Sequence, residues 1–146
     1  DNFPNDSDDK VTEFADNMIT VGALNFENGA KLVARFSNIG KTNVDVFAPG
    51  VKIYATTPNN TYSYLQGTSM ASPNVAGVAA LIRSYYPKLT AKQVKHILMD
   101  SGVAIESDVI VGGKPADTRP FSALSKSGKI VNAYNALQMA AKMSKK

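Results

Sequence analysis

Residues 75–82 read Val-Ala-Gly-Val-Ala-Ala-Leu-Ile, an apolar stretch without a polar face. A helix made of it has no side that suits water, so the stretch predicts a helix buried all round, enclosed by a sheet and by other helices. Pro73 lacks a backbone N–H and is tolerated in a first helical turn, which puts the helix start just after Ser69 and its end near Ser84. Gly77 weakens a helix by about 1 kcal/mol relative to Ala, a loss that close approach of another backbone would offset.

The segments around this helix alternate between strand and helix signals. Met18 to Leu24 is a short, mostly apolar run of the kind buried on both faces of a parallel sheet. Asn28-Gly29 is a turn signal, Leu32 to Phe36 predicts a second strand, and Val44 to Phe47 a third, stopped by Pro49-Gly50. Val51 to Ala55 alternates weakly, Pro58-Asn59-Asn60 turns the chain, and Tyr62 to Leu65 runs back toward Gly67. Further on, Thr90 and Gln93 have capping-box spacing. Val94, Ile97, Leu98 and Ser101 form the buried stripe of that helix, and Gly102 ends it. Residues 103–127, with Gly112-Gly113, Pro115 and Pro120, predict a long loop, and an amphipathic helix with Ala133, Ala136, Leu137, Ala140 and Ala141 on one face begins near Asn132. Short apolar strands followed by helices imply an α/β sheet packed by helices.

Composition narrows the function classes. The chain has 146 residues, 44% of them hydrophobic and 19% charged, which suits one domain or a large piece of one rather than a disordered chain. It has no cysteine, which excludes disulfides, thiolate zinc sites and a thiol nucleophile. The formal charge of +4 is scattered apart from Lys142, Lys145 and Lys146, so it predicts a solvated tail and not a nucleic-acid surface. No apolar run approaches the roughly 18 residues of a membrane span. Residues 1–10 predict a polar surface loop. Its Asp6, Asp8 and Asp9 lack the Gly and distant Glu of an EF-hand, so the solvated reading is preferred to a calcium loop.

The segment Gly67-Thr68-Ser69-Met70-Ala71-Ser72-Pro73 carries the chemistry. Ser69 stands at the start of a helix, where backbone N–H groups have no internal partner and the macrodipole favours negative charge. An attacking serine oxygen, and the oxyanion made from a substrate carbonyl, would both sit in that field. Serine is also a common helix cap, and spacing alone favours the cap.

Gly-Thr-Ser-Met-Ala-Ser-Pro resembles the nucleophile signature of the subtilisin-like serine protease family (subtilases). The resemblance extends through Asn74 to Leu81, and back through Phe36-Ser37-Asn38, Asp45-Val46-Phe47-Ala48-Pro49-Gly50 and Met18 to Ala23. Gly128 to Ala133 resembles the start of the family's terminal helix. The resemblance implies that residues 1–146 are the C-terminal portion of a subtilisin-like peptidase domain, with an α/β fold, a mostly parallel sheet and helices on both faces. It implies that Ser69 is the nucleophile of a serine endopeptidase acting on peptides or proteins, with Met70 lining the leaving-group side. It implies a secreted or cell-envelope setting and no redox or organic cofactor. Asp45 stands where some relatives place a weak cation site. A single carboxylate binds cations poorly, so a hydrogen-bonded aspartate is preferred there to a calcium ligand.

The family orders its triad Asp, His, Ser, so both partners of Ser69 are expected on its N-terminal side. The chain has one histidine, His96, and it follows Ser69. His96 lies about 200° around its helix from Val94, away from the buried stripe, and predicts an exposed helix residue rather than a base. Neither the family's aspartate motif nor its oxyanion asparagine is present, so the chain alone is expected to be inactive. Its expected partner is the N-terminal portion of the same domain; failing that, a homodimer that covers unpaired strand edges. The competing reading is a non-catalytic structural or interaction fragment.

Overall fold

The computed structural model describes Ser7 and residues 12–145. Its elements in chain order are β1 (Val21–Leu24), β2 (Val46–Pro49), β3 (Ile53–Thr57), β4 (Thr61–Leu65), α1 (Thr68–Tyr85), α2 (Ala91–Asp100), β5 (Val103–Ala104), β6 (Asp108–Val111), β7 (Lys114–Pro120), β8 (Lys129–Ile130) and α3 (Ala133–Met143). Short 3-10 turns at Gly29–Lys31 and Phe121–Ala123 complete them.

The central sheet has the order β1-β2-β8-β5, parallel except for its last pair. Side chains alternate across a strand, and the alternation here divides two cores. Ala23, Val46 and Ala48 pack with Ala71, Val75 and Ile82 of α1, Val94, Ile97 and Leu98 of α2, and Ala136 and Ala140 of α3. Leu24 and Phe47, which point the other way, pack with Val33, Val44, Val109, Val111, Phe121 and Leu124. Among the described residues, helices therefore pack on one face only. The other face, expected to carry helices too, is covered by the β6–β7 hairpin and its following turn.

The helix starts follow from their caps. Thr90 and Gln93 form the expected capping box around the first turn of α2. Asn132 caps α3, its side chain accepting from the N–H of Asn135. The end of α2 is different from its prediction. Ser101 is the helical C-cap and Gly102 has no left-handed backbone to supply. A Cβ at Gly102 would stand 2.7 Å from the Ile130 carbonyl oxygen, so the glycine serves the approach of β5 to β8.

Further expectations are corrected. Residues 32–36 form no strand, only an isolated bridge between Leu24 and Val33. The Ser37 hydroxyl accepts from the Ala23 N–H at 2.8 Å, and Ala34 N–H donates to the Ala23 carbonyl, so this segment fills the edge of β1 by single contacts. Residues 103–127 are not a structureless loop: β6 and β7 pair antiparallel, joined by Gly112 and Gly113 at φ 59° and 69°. Two left-handed residues make the turn that matches hairpin twist, and glycine adopts them without strain. Helix α1 starts at Thr68, so Pro73 lies in its second turn. It is buried only at Ala71, Val75 and Ile82, while Leu81 is 38% exposed. The uniform apolarity of 75–82 thus exceeds what these residues cover. Of the expected surface loop 1–10, Ser7 is fully buried. Its other residues, including Asp6, Asp8 and Asp9 of the calcium alternative, lie outside the described residues.

Candidate active site

Ser69 lies in the first turn of α1, exposed, beyond the C-terminal ends of the parallel strands β1 and β2. Ligand sites of open α/β sheets form at such ends. Three local devices hold the turn there. Gly67, at φ 152°, takes a backbone that L side chains rarely adopt, and its carbonyl accepts from Met70 N–H at 3.0 Å. Gly67 N–H donates to the Gly50 carbonyl at 2.8 Å, joining the turn to the end of β2. A Cβ on Gly50 would stand 2.7 Å from the Ala23 Cβ and 2.9 Å from the Gly67 oxygen, so no side chain fits between strand and turn. The third device is Asn74, whose side-chain N–H donates to the Pro49 carbonyl at 2.9 Å and the Met70 carbonyl at 3.1 Å.

This geometry suits a nucleophile. The N–H groups of Thr68 and Ser69 have no preceding helical carbonyl to bond, and no acidic residue occupies the first turn. Negative charge at the Ser69 oxygen or beside its N–H is therefore favoured. Pro73 has no N–H to offer the Ser69 carbonyl. Among the described residues, none hydrogen-bonds the Ser69 hydroxyl. His96 is exposed as expected, and its Nε2 lies 3.4 Å from Asp16 Oδ1. Asp16 also pairs with Lys92, whose hydrogen bond holds the Asp16 carboxyl below its usual range, with His96 adding to the effect. The single histidine is thus engaged at a surface cluster and does not meet Ser69.

Asp45 is buried immediately before β2, away from the Ser69 turn in sequence. Its Oδ2 accepts from the Thr20 N–H at 2.8 Å and the Thr20 hydroxyl at 3.3 Å, and Lys95 Nζ stands 3.3 Å away. Glu13 lies 3.7 Å from the same ammonium and also pairs with Lys126. Burial pushes the Asp45 carboxyl up, against the lowering effect of the Thr20 hydrogen bond and the Lys95 charge. Among the described residues, no group of three His, Cys, Asp or Glu side chains stands together to hold a metal. The charge facing Asp45 here is an ammonium.

The matched region is extensive. A family model described as the subtilase family covers residues 2–132. The chain belongs to the subtilase family. Subtilisin DY of Bacillus licheniformis is 46% identical over 97 residues, which are 66% of this chain and 34% of that protein. Subtilisin-like protease 1 of Plasmodium berghei is 43% identical over 93 residues, 63% of this chain and 16% of that one. Among solved structures, fervidolysin from Fervidobacterium pennivorans, described as a keratinolytic enzyme related to subtilisin, superposes with a TM-score of 0.64 at 29% identity over 84% of this chain and 19% of its own. Subtilase cytotoxin gives a TM-score of 0.64 at 28% identity, over 86% of this chain and 37% of its own. The chain therefore spans about a third of the length of the bacterial subtilisin it matches. The fold is the subtilisin-like α/β fold that the motif implied.

Three residues that hold the Ser69 turn or pair with Asp45 were not singled out in the sequence. Asn74 is the polar residue directly before the apolar stretch 75–82, and that position was its signal. Gly50 follows a proline and reads as a strand stop, which hides its role as a contact surface. Lys95 precedes Leu98 and Met99 by three and four residues, and that spacing puts it on the buried side of α2.

Proposed function

We propose that this chain is the nucleophile-bearing C-terminal portion of a serine endopeptidase domain. The observation that carries the reading is the exposed Ser69 hydroxyl in the first turn of α1, inside Gly-Thr-Ser-Met-Ala-Ser-Pro, in a subtilase fold. In the reaction, Ser69 Oγ attacks the carbonyl carbon of a peptide bond while a base takes its proton. The oxyanion is met by the Ser69 N–H, and the amine leaves with the proton. Water then releases the acyl group by the reverse sequence. The base and its aspartate come from an N-terminal portion of the domain, because His96 is held at Asp16. Met70, half-buried beside Ser69, lines the leaving-group side.

The chain by itself is inactive in this account, and either the N-terminal portion or a second copy covers the exposed side of α1. We place the protease outside the cell or in its envelope; among the described residues, no helix is long and apolar enough to cross a membrane. At Asp45, the Lys95 ammonium takes the part a calcium ion would play, so calcium is expected to leave the melting temperature unchanged.

Peptide cleavage by the chain alone, and by the chain assembled with the portion carrying the base, tests the reading. Cleavage only by the assembled protein, lost in Ser69→Ala, supports it. The absence of Ser69-dependent cleavage in the assembled protein favours the non-catalytic interaction fragment.

A further inference from the structure

A cleft of about 350 Å³ opens beside the Ser69 turn. Its wall nearest the turn is formed by Gln66 and Val51, the neighbours of Gly67 and Gly50, whose backbones are hydrogen-bonded to each other. Phe26 and Phe36 also line it, 54% and 38% exposed, and the β6–β7 turn closes its far side. The charged side chains lining it are Lys31 and Arg35. Lys52 adds a third cation at the rim, with Nζ 3.6 Å from the centre of the Phe26 ring. Its backbone is left-handed at φ 55°, an arrangement uncommon for a side-chain-bearing residue and concentrated at ligand sites.

Glu27, four residues before Lys31, faces its ammonium at 3.6 Å. Arg35 has no ion pair among the described residues. The Gly113 turn backs its stem: a Cβ there would stand 3.0 Å from the Arg35 Cβ. Gln66 is exposed, leaving its amide available to a peptide. An aromatic-lined cleft with a guanidinium that is unpaired among the described residues fits a side chain having a short alkyl stem and a carboxylate, which Arg can bind through two parallel N–H donors.

We propose that this cleft takes an acidic side chain of the polypeptide substrate, with Arg35 as the carboxylate partner and Phe26 and Phe36 packing its stem. The proposal rests on the endopeptidase reading and adds a specificity to it. Lys31 and Lys52 reinforce the field, and higher salt weakens the preference because the site is open to water.

The test uses the assembled protease and peptides of one neutral sequence, in which Glu, Gln or Lys is moved through the positions flanking the scissile bond. Glu at one position is expected to raise kcat/KM about tenfold over Gln, the size of one charge-assisted contact, and Lys to lower it. Arg35→Ala should bring the Glu-to-Gln ratio at that position to about one, and Arg35→Glu should turn the preference toward Lys. Cleavage of the Gln peptide by each variant shows that it has folded. Neutral peptides cleaved with no Glu preference at any position, or a preference unchanged in both variants, would overturn this inference and leave the endopeptidase reading standing. No Ser69-dependent cleavage of any peptide would overturn both.

Discussion

The two faces of the central sheet are built to different rules. Toward the helices the sheet presents Ala23, Val46 and Ala48, and α1 answers with Ala71, Val75 and Ile82. Small side chains bring helix and sheet backbones close, and that closeness lets Gly50 touch the Gly67 turn and Asn74 reach the Pro49 carbonyl. Toward the hairpin the sheet presents Leu24 and Phe47 against Phe121 and Leu124, with the Phe47 and Phe121 rings 5.0 Å apart. That face is filled by volume. The helix face positions Ser69 through backbone contact, whereas the hairpin face supplies stability through buried area. Substitutions on the first should disturb chemistry out of proportion to stability, and substitutions on the second the reverse.

The largest effect is expected at Phe47, which is fully buried. Phe47→Ala should lower stability by about 4 kcal/mol, the usual range for emptying a packed aromatic site. Denaturant titration measures it. A loss under 1 kcal/mol would mean that the hairpin face is not the bulk core described.

Lys95→Met comes next, because it leaves the buried Asp45 without its nearest cation. Removing one partner of a buried pair costs about 3 kcal/mol. Burial already holds the Asp45 carboxyl above its ordinary value, and losing Lys95 raises it further. A carboxyl raised in the folded state favours folding when protonated, so its contribution disappears as pH climbs through the folded pKa. The penalty of Lys95→Met should therefore be greatest near neutral pH and shrink toward the ordinary carboxylate pKa of about 3.9. Adding Asp45→Asn should recover most of it. Thermal melts of both variants across pH test this, and a penalty that grows on acidification would contradict the assigned sign.

Gly50→Ala sharpens the comparison. The added methyl group would press on Ala23 and the Gly67 carbonyl, at about 2 kcal/mol for overpacking. Because the strain falls on the Ser69 turn, kcat of the assembled protease should drop by far more than that stability loss suggests. The smallest expected effect is at Asn74. Asn74→Ala removes the tie to Pro49 at about 1 kcal/mol, and it should lower kcat without moving KM. An unchanged kcat in both variants would remove the claim that the helix face positions the serine.

The same contrast explains what the sequence revealed. The helix face is written in short contiguous signals: the glycine before Ser69, the Thr90–Gln93 capping box, the amphipathic pattern beginning near Asn132 and the alternation of strand and helix. The hairpin face is assembled from distant pieces. Lys114 to Pro120 is polar with a proline near each end, so nothing in its period marks a strand; its pairing with β6 depends on Gly112-Gly113 adopting the left-handed turn. Residues 32–36 have strand composition, yet the Ser37 hydroxyl occupies the Ala23 N–H that a full ladder would need. The ion cluster joins Glu13, Asp45, Lys95 and Lys126, far apart in the chain, and no local spacing could have brought them together. Ser69 was legible as a helix-start serine, but its assignment as the nucleophile came from the extended family motif.

The central claim is that Ser69 is the nucleophile, activated by a base from outside this chain. Mass spectrometry after treatment with a fluorophosphonate, which phosphonylates activated serines, tests it most directly. The account predicts a single adduct on Ser69 in the assembled protease, none in the isolated chain and none in Ser69→Ala. An adduct on another serine, or labelling of Ser69 in the isolated chain at the same rate as in the assembled protein, would contradict it.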